Sequence, residues 1–386
     1  MDIISVIYYL LGGLAAVYIF GKLVFVLYKT FKSIRENALF RYDRDLAKRF
    51  VSDLKLPVGV IYPAWIFRHQ LKLYGDLDKW DALWDVIDKN YDGDHHKFLD
   101  DYYQLRDNII KSTEANPAYQ EFIKMDMKEF QFKRPEGVSK NNVYNGENLG
   151  KLFFSVDLTK ANFQALRYVS PDIVLGAETY PEFIGKFSDM EYVAQSKYTR
   201  QVVFGKLNVD RQMTVERYIT NKIWELVSNM PGVMKSEPDG LLEYMWLRSM
   251  SNDELIFEVY PDQEKDWMEE TSRKVIDAVK KELNIDVHTE WFTLKGWQMV
   301  SPTNSEVCQT FFEKIDYLSD ESKLVCVPLP YHNIIYKLWK EEEIYDADKY
   351  FIYEKMVCKF TDNFKLVPLE TKKKKDEGDL QSAGPV

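Results

Sequence analysis

An uncharged apolar segment at the amino terminus constrains this chain more than any other feature. Residues 3–21 contain no charged side chain, and after Lys22 the apolar run continues through residues 23–28. At about 1.5 Å per helical residue, such a helix covers the roughly 30 Å of a bilayer's hydrocarbon core. We therefore expect a transmembrane helix over residues 1–28; the alternative is a buried apolar helix of a soluble fold.

The charges around this segment predict its orientation. Met1-Asp2 precedes it without a basic residue, whereas six Lys and Arg residues lie between positions 22 and 44. Basic residues collect on the cytosolic side of membrane helices, and a cleaved secretory signal would begin with them. The sequence thus predicts a single-pass signal-anchor that contacts membrane lipid and keeps the large carboxy-terminal region in the cytoplasm.

The composition excludes several function classes. Lys and Arg number 51 and Asp and Glu number 61, which gives a net charge of −10 and counts against non-specific coating of nucleic acid. Three cysteines are too few and too widely spaced for a disulfide framework or a four-thiolate zinc site. The P-loop, dinucleotide-binding and serine-hydrolase motifs are all missing from the sequence.

Patterning after the anchor predicts an α+β fold. Apolar residues at three- and four-residue intervals predict a helical membrane-proximal region over 29–132, and turn-forming residues predict a linker over 133–150. Residues 151–370 combine helix and strand patterns, which indicates a cytosolic domain of helices and antiparallel sheet, and 371–386 has the composition of a disordered tail. Within the domain we expect strands at 151–157, 241–250, 254–260 and 285–295, and helices at 159–169, 181–187, 192–205, 211–230, 267–283 and 332–343.

Adjacent carboxylates at a hairpin turn are the sharpest chemical signal. Asp253 and Glu254 follow the polar turn between two predicted strands, and Asp157 ends a separate strand. Divalent ions that bridge phosphate oxygens need such convergent carboxylates, so Asp157, Asp253 and Glu254 are candidate catalytic residues, with Asp157 and Asp253 as metal ligands. In the alternative interpretation, Asp157, with Thr159, caps the following helix and the hairpin turn is merely solvated.

A basic helical face lies between these carboxylates in sequence. Lys197, Arg200 and Phe204 recur at three- and four-residue intervals, and Lys206 follows closely. Cations on one face suit a triphosphate, and an aromatic ring suits base stacking. These four residues are therefore candidate nucleotide-binding residues, although an ordinary charged helix surface has the same pattern.

Residues 150–300 resemble the palm of the DNA polymerase I family. Asp253-Glu254-Leu255-x-x-Glu258-Val259 resembles its third motif, Arg200 with Phe204-Gly205 resembles its nucleotide-binding helix, and Ser155-Val156-Asp157 resembles the strand of its first metal aspartate. The resemblance implies a palm-like fold, magnesium held by Asp157 and Asp253, phosphate contact by Arg200 and base stacking by Phe204. The chain differs from the family at Asn252, where the family has a histidine.

Two functions follow from these patterns. The first is a membrane-tethered cytosolic scaffold or adaptor without catalysis, which binds a protein partner. The second is a divergent, palm-type, magnesium-dependent nucleotidyltransferase, for which nucleotide or nucleic acid is the partner. The sequence favours the scaffold because no complete catalytic motif is present.

Overall fold

The computed structural model describes Lys22, Val24 and residues 38–139, 143–234, 244–260, 263–301, 303 and 305–369. The predicted anchor, except Lys22 and Val24, and the predicted tail lie outside these residues. Among the residues described, no helix combines the length and the apolar character needed to cross a bilayer.

Helices and strands are both abundant in the described residues, which confirms the α+β class. The α-helices are α1 (Arg44–Leu54), α2 (Ala64–Leu73), α3 (Leu77–Tyr91), α4 (His95–Ala115), α5 (Pro117–Phe122), α6 (Ala161–Val169), α7 (Tyr180–Gly185), α8 (Glu191–Gln195), α9 (Lys197–Lys206), α10 (Val209–Ser228), α11 (Lys265–Leu283) and α12 (His332–Trp339). The strands are β1 (Leu152–Leu158), β2 (Met245–Met250), β3 (Glu254–Val259), β4 (Val287–Val300), β5 (Val307–Asp316), β6 (Ser322–Val325), β7 (Tyr350–Tyr353), β8 (Met356–Lys359) and β9 (Lys365–Pro368).

The chain divides into two compact units. The described part of the first unit consists of Lys22, Val24 and residues 38–52, 56–95 and 345–360. That of the second consists of residues 53–55, 96–139, 143–234, 244–260, 263–301, 303, 305–344 and 361–369. The predicted linker at 133–150 therefore falls inside the second unit.

The first unit is built on helices with an aromatic core. Trp80 is fully buried, and its ring makes edge contacts with Phe50 and Phe67 at centroid distances of 5.2 and 5.4 Å. The buried Gln70 side chain accepts a hydrogen bond from the Gly59 amide. It also donates one to the carbonyl of Tyr350, which is the first residue of the β7–β8 hairpin. This amide joins sequence-distant segments of the unit.

The second unit contains a seven-stranded antiparallel sheet. Its strand order is β2-β3-β1-β4-β5-β6, and β9 pairs with β4 beyond the end of β1. The first four strands follow the chain order β1, helices, β2, β3, α11, β4, which is the split βαβ connection. The central strand, β1, lies between β3 and β4.

Alternation along β1 assigns its residues to two faces of the sheet. Phe154 stacks on Trp291 at 4.3 Å between centroids, and Trp267 of α11 contacts Trp291 at 5.6 Å, so this face carries the helices. Because successive side chains of a strand point in opposite directions, Phe153 and Asp157 lie on the other face. The candidate carboxylate of β1 is therefore on the face opposite α11.

Four local predictions need correction. The helix predicted over 192–205 is divided at Ser196 into α8 and α9. The strand predicted to end near Gly296 continues to Val300. Gly296 leaves room for the segment of β9, because an added Cβ would lie 2.8 Å from Leu369 Cβ. The Gly296 carbonyl accepts a hydrogen bond from the Leu369 amide at 2.9 Å. The helix predicted over 332–343 ends at Trp339. The N-cap of helix α6 is Lys160, which has a left-handed backbone conformation and makes no side-chain capping hydrogen bond. The predicted cap by Asp157 and Thr159 is therefore wrong.

Candidate functional site

Strand pairing brings Asp157 beside Glu254. In the β1–β3 register Asp157 is directly opposite Glu254, and in the β1–β4 register it is opposite His288. Directly opposed residues of an antiparallel pair have Cβ atoms about 5 Å apart and share a face of the sheet. A carboxylate of β1 thus has a second carboxylate on one side and an imidazole on the other.

The hairpin turn holds Asp253 at the end of β1. Ser251 Oγ donates to Asp253 Oδ1 at 3.0 Å and accepts the Glu254 amide at 3.0 Å, which fixes the turn. The Leu158 amide donates to the Asp253 carbonyl at 2.8 Å. The residue that follows Asp157 is therefore bonded to Asp253, and the Asp253 side chain is exposed at the turn.

Burial and neighbouring acidic charges raise the pKa of both Asp157 and Glu254. Burial, followed by the nearby Asp253 charge, raises the pKa of Asp157 to about 6, against the opposing effect of His288, Lys314 and Lys197. Burial raises the pKa of Glu254 to about 7; Lys314 opposes the rise, and Asp157 and Asp253 add to it. The acidic groups of Asp157, the Asp253 turn and Glu254 therefore share one electrostatic environment.

A buried ion pair borders this cluster on the β5 side. Lys314 is 5% exposed, and its Nζ donates to Glu290 Oε2 at 2.6 Å, while Lys323 Nζ donates to Glu290 Oε1 at 2.7 Å. Burial acts to raise the pKa of Glu290, but the hydrogen bonds from the two lysines lower it overall. Glu290 is thus neutralised by its neighbours.

Helix α10 contributes a carboxylate that the sequence analysis missed. Glu216 is 4% exposed, and Asn162 Nδ2 donates to its Oε1 at 2.8 Å. Burial, and then the Asp253 charge, raise the pKa of Glu216 to about 7. No local motif marks this residue; its position on the inward face of the amphipathic α10 was the only available signal.

Helix α9 carries the candidate cations. Its N-cap is Ser196, whose Oγ accepts the Thr199 amide at 2.9 Å and donates to the buried Asp53 carboxylate at 2.9 Å. Lys197 follows in the first turn, and its charge opposes the rise in the pKa of Asp157 that burial and Asp253 cause. The anchored start of this helix therefore brings one cation into electrostatic reach of the β1 carboxylate.

Arg200 lies one turn further along α9. Its guanidinium carbon is 5.9 Å from the Tyr180 ring centroid, and its buried Nε has no hydrogen-bond partner within the described part of the chain. Burial and the adjacent Arg200 charge lower the pKa of Lys160, which follows Asp157 by three residues. Two cations therefore crowd each other beside the end of β1, an arrangement that an anion would stabilise.

The other two predicted nucleotide-binding residues lie elsewhere. Phe204 is fully buried, with the rings of Phe163, Tyr180 and Phe183 at 6.0 to 6.4 Å, so a base has no access to its faces. The proposed base-stacking role of Phe204 is therefore wrong in this structure, because the same spacing serves the aromatic core. Lys206 is exposed in the last turn of α9, about 13 Å along the helix axis from Lys197.

The carboxylates do not form a complete metal cage. Among the described residues, no group of three or more His, Cys, Asp or Glu side chains is arranged to hold a metal ion. Magnesium, however, is commonly held by one or two carboxylates together with water and substrate phosphates. Asp157 and Asp253 fit that incomplete donor set, with Lys160 and Arg200 nearby for the phosphate charge.

Comparison with known proteins assigns no relative. No family model matches the chain, and no curated protein or solved structure is significantly similar to it.

Proposed function

We propose that the second unit binds a nucleoside triphosphate with magnesium at Asp157 and Asp253 and carries out palm-type nucleotidyl transfer. The observation that carries this proposal is the proximity of carboxylates from β1 and the β2–β3 turn, where the Leu158 amide donates to the Asp253 carbonyl at 2.8 Å. Burial, and then the Asp253 charge, raise the pKa of Asp157 to about 6. Strained like charges of this kind are characteristic of functional sites.

The topology supports the same proposal. The resemblance to the polymerase palm predicts that the strand of the first aspartate lies beside the hairpin of the third motif, and β1 pairs with β3 along its length. The carboxylates also lie at the end of β1, on the face opposite α11. A substrate therefore does not have to displace that helix.

The proposal gives the carboxylates and the cations different roles. Asp157 and Asp253 would hold magnesium, which when bound would neutralise phosphate oxygens while a hydroxyl oxygen attacks the α-phosphorus and pyrophosphate leaves. Lys197, Arg200 and Lys160 bind and orient the triphosphate through charge-assisted hydrogen bonds. Glu254, with a pKa of about 7, holds or releases a proton beside the ligands at neutral pH.

The scaffold hypothesis remains the second candidate. It is favoured by the lack of a three-ligand metal group among the described residues. It predicts that the carboxylates and cations do not act on a common ligand.

Triphosphate binding distinguishes the two hypotheses. We expect the full-length protein in detergent to bind a non-hydrolysable nucleoside triphosphate at least ten-fold more tightly with magnesium than with a chelator. Asp157→Asn and Asp253→Asn should remove the magnesium effect, and Arg200→Gln should weaken binding about ten-fold, as expected for the loss of one charged hydrogen bond.

A matched control makes this test specific. Asp277 is an exposed acid on α11, so Asp277→Asn changes the net charge equally away from the site. If Asp253→Asn and Asp277→Asn bind the triphosphate alike, or if magnesium has no effect on wild type, the scaffold hypothesis is favoured.

We also propose that the apolar segment 1–28 tethers this site to a membrane, with the large region in the cytoplasm. The support is the apolar length of the segment and the basic residues that follow it. Protease added to the cytoplasmic face of sealed vesicles should digest the large region. Its protection from that face, or release of the intact protein by carbonate, would contradict the tether.

A further inference from the structure

A cavity of about 730 Å³ opens on the side of the β2–β3 turn. Its lining includes Phe130, Phe132 and Arg134 before β1, Thr214 and Arg217 on α10, and Asp253 at the turn. A volume between about 300 and 1,000 Å³ is typical of sites for single small ligands. The cavity shares Asp253 with the proposed triphosphate site, but Lys160, Lys197 and Arg200 do not line it.

Two guanidinium groups, those of Arg134 and Arg217, are the cations of the cavity lining. Arg134 donates through Nη2 to the carbonyls of Ser139 and Met250, both at 2.6 Å, which fixes the position of the side chain. Its Nε is buried and has no hydrogen-bond partner in the residues that the structure covers. Because this Nε has almost no accessible surface, Arg134 would attract an anion in the cavity through its guanidinium charge rather than through that atom.

Arg217 supplies the second cation. Its Nε donates to Asn252 Oδ1 at 2.7 Å, so the guanidinium is held beside the turn while the residue remains exposed. Two fixed guanidinium groups at one cavity suit a phosphate-type anion, which accepts bidentate hydrogen bonds.

The aromatic side of the cavity suits a planar ring. The Phe130 ring is held by an edge contact with Tyr218 at 5.4 Å, and Phe132 is partly exposed. Stacking of a base on an aromatic side chain contributes about 1–3 kcal/mol irrespective of base identity. Thr214 adds a hydroxyl group to this lining.

We infer that this cavity binds a ligand that joins a nucleobase-like ring to a phosphate, the chemistry of a nucleoside monophosphate unit. The ring stacks on Phe132, the phosphate faces Arg134 and Arg217, and Asp253 at the rim accepts a sugar hydroxyl. The inference goes beyond the proposed triphosphate site and does not depend on magnesium. A free nucleotide and the end of a nucleic-acid strand both present this chemistry.

Calorimetric titration of the full-length protein in detergent, with a chelator present, tests the inference. We expect adenosine monophosphate to bind at least ten-fold more tightly than either adenosine or ribose 5-phosphate, because ring and phosphate are both required. A 5′-phosphorylated decathymidylate identifies the source: tighter binding than the mononucleotide indicates a strand end, and weaker or equal binding indicates a free nucleotide.

Variants locate the binding. Phe132→Leu and Arg217→Gln should each weaken mononucleotide binding about ten-fold or more, whereas Phe132→Tyr should retain it. Lys222→Gln, which removes a cation from the same helix outside the cavity, is the matched control. Circular dichroism checks that each variant is folded.

The outcomes separate this inference from the proposed function. Arg200→Gln should leave mononucleotide binding unchanged, whereas it weakens triphosphate binding under the proposed function. If no mononucleotide or strand binds, if adenosine or ribose 5-phosphate binds as tightly as the mononucleotide, or if Phe132→Leu and Arg217→Gln bind like wild type, the inference is overturned.

Discussion

Replacing Glu216 with glutamine should stabilise the second unit in a pH-dependent way. Burial and the Asp253 charge raise the pKa of this carboxyl from 4.5 to about 7. The folded state therefore binds the Glu216 proton more tightly than the unfolded state. Stability falls as the pH rises from about 4.5 to 7, and the full cost of the charge is present above that range.

The magnitude follows from the shift. A change of roughly 2.5 pKa units at 1.36 kcal/mol each corresponds to about 3 kcal/mol. Glutamine preserves the side-chain volume and the oxygen that accepts the Asn162 hydrogen bond. We thus expect Glu216→Gln to raise the free energy of opening by up to about 3 kcal/mol at pH 8 and by little at pH 4.

Amide hydrogen exchange of α10 measures this effect. Comparison of wild type and variant at the same pH cancels the intrinsic pH dependence of exchange, and the local readout does not require two-state unfolding of a chain with two units. Glu269→Gln is the matched control because Glu269 is exposed on α11, where substitutions change stability by less than about 0.5 kcal/mol. A stability gain of equal size at pH 4 and pH 8 would refute the electrostatic explanation.

Three further substitutions test individual contacts. Asp53 is 1% exposed and accepts hydrogen bonds from three hydroxyl groups. Asp53→Ala should therefore lower the protection of α9 amides against exchange by about 2–3 kcal/mol. Unchanged exchange in α9 would show that Asp53 does not anchor the helix. Phe204→Leu should lower stability by about 1–3 kcal/mol in a melting experiment without changing the triphosphate affinity of the folded protein, and a selective loss of affinity would restore the stacking role. Gly296→Ala should speed amide exchange in β9, because its Cβ would lie 2.8 Å from Leu369 Cβ; normal protection of residues 365–369 would contradict that steric argument.

The sequence predicts the local elements of the second unit well. Alternating side chains and a polar turn at Ser251 were sufficient to identify the β2–β3 hairpin, and the amphipathic pattern predicted α11 within two residues of its start. The position of Asp157 at the end of a strand was also predicted correctly. Each of these features depends on neighbours in sequence.

The residues that neighbouring strands place beside the carboxylates could not be predicted from local sequence patterns. His288 and Lys314 reach the carboxylates through the β1–β4 and β4–β5 registers, which depend on how distant strands pair. The four-residue interval between Arg200 and Phe204 fits both a ligand-binding face and a core-facing face of a helix. In the structure Phe204 packs against Phe163 in the core. A sequence pattern gives the period of a helix, but the environment of each face comes from the tertiary fold.

The electrostatics of the site bear on which hypothesis better explains these carboxylates. Asp157 is not the cap of α6, since that helix starts after Lys160 without a side-chain cap. Its charge is opposed by burial and by Asp253, so as a purely structural residue it weakens the fold above pH 6. Glu254 beside the turn and Glu216 on α10 have the same unfavourable balance, and an uncharged amide at any of the three positions would relieve it. A scaffold function does not require several negative charges close together. A bound cation would replace their mutual repulsion with attraction, and for this reason we favour the magnesium-dependent function.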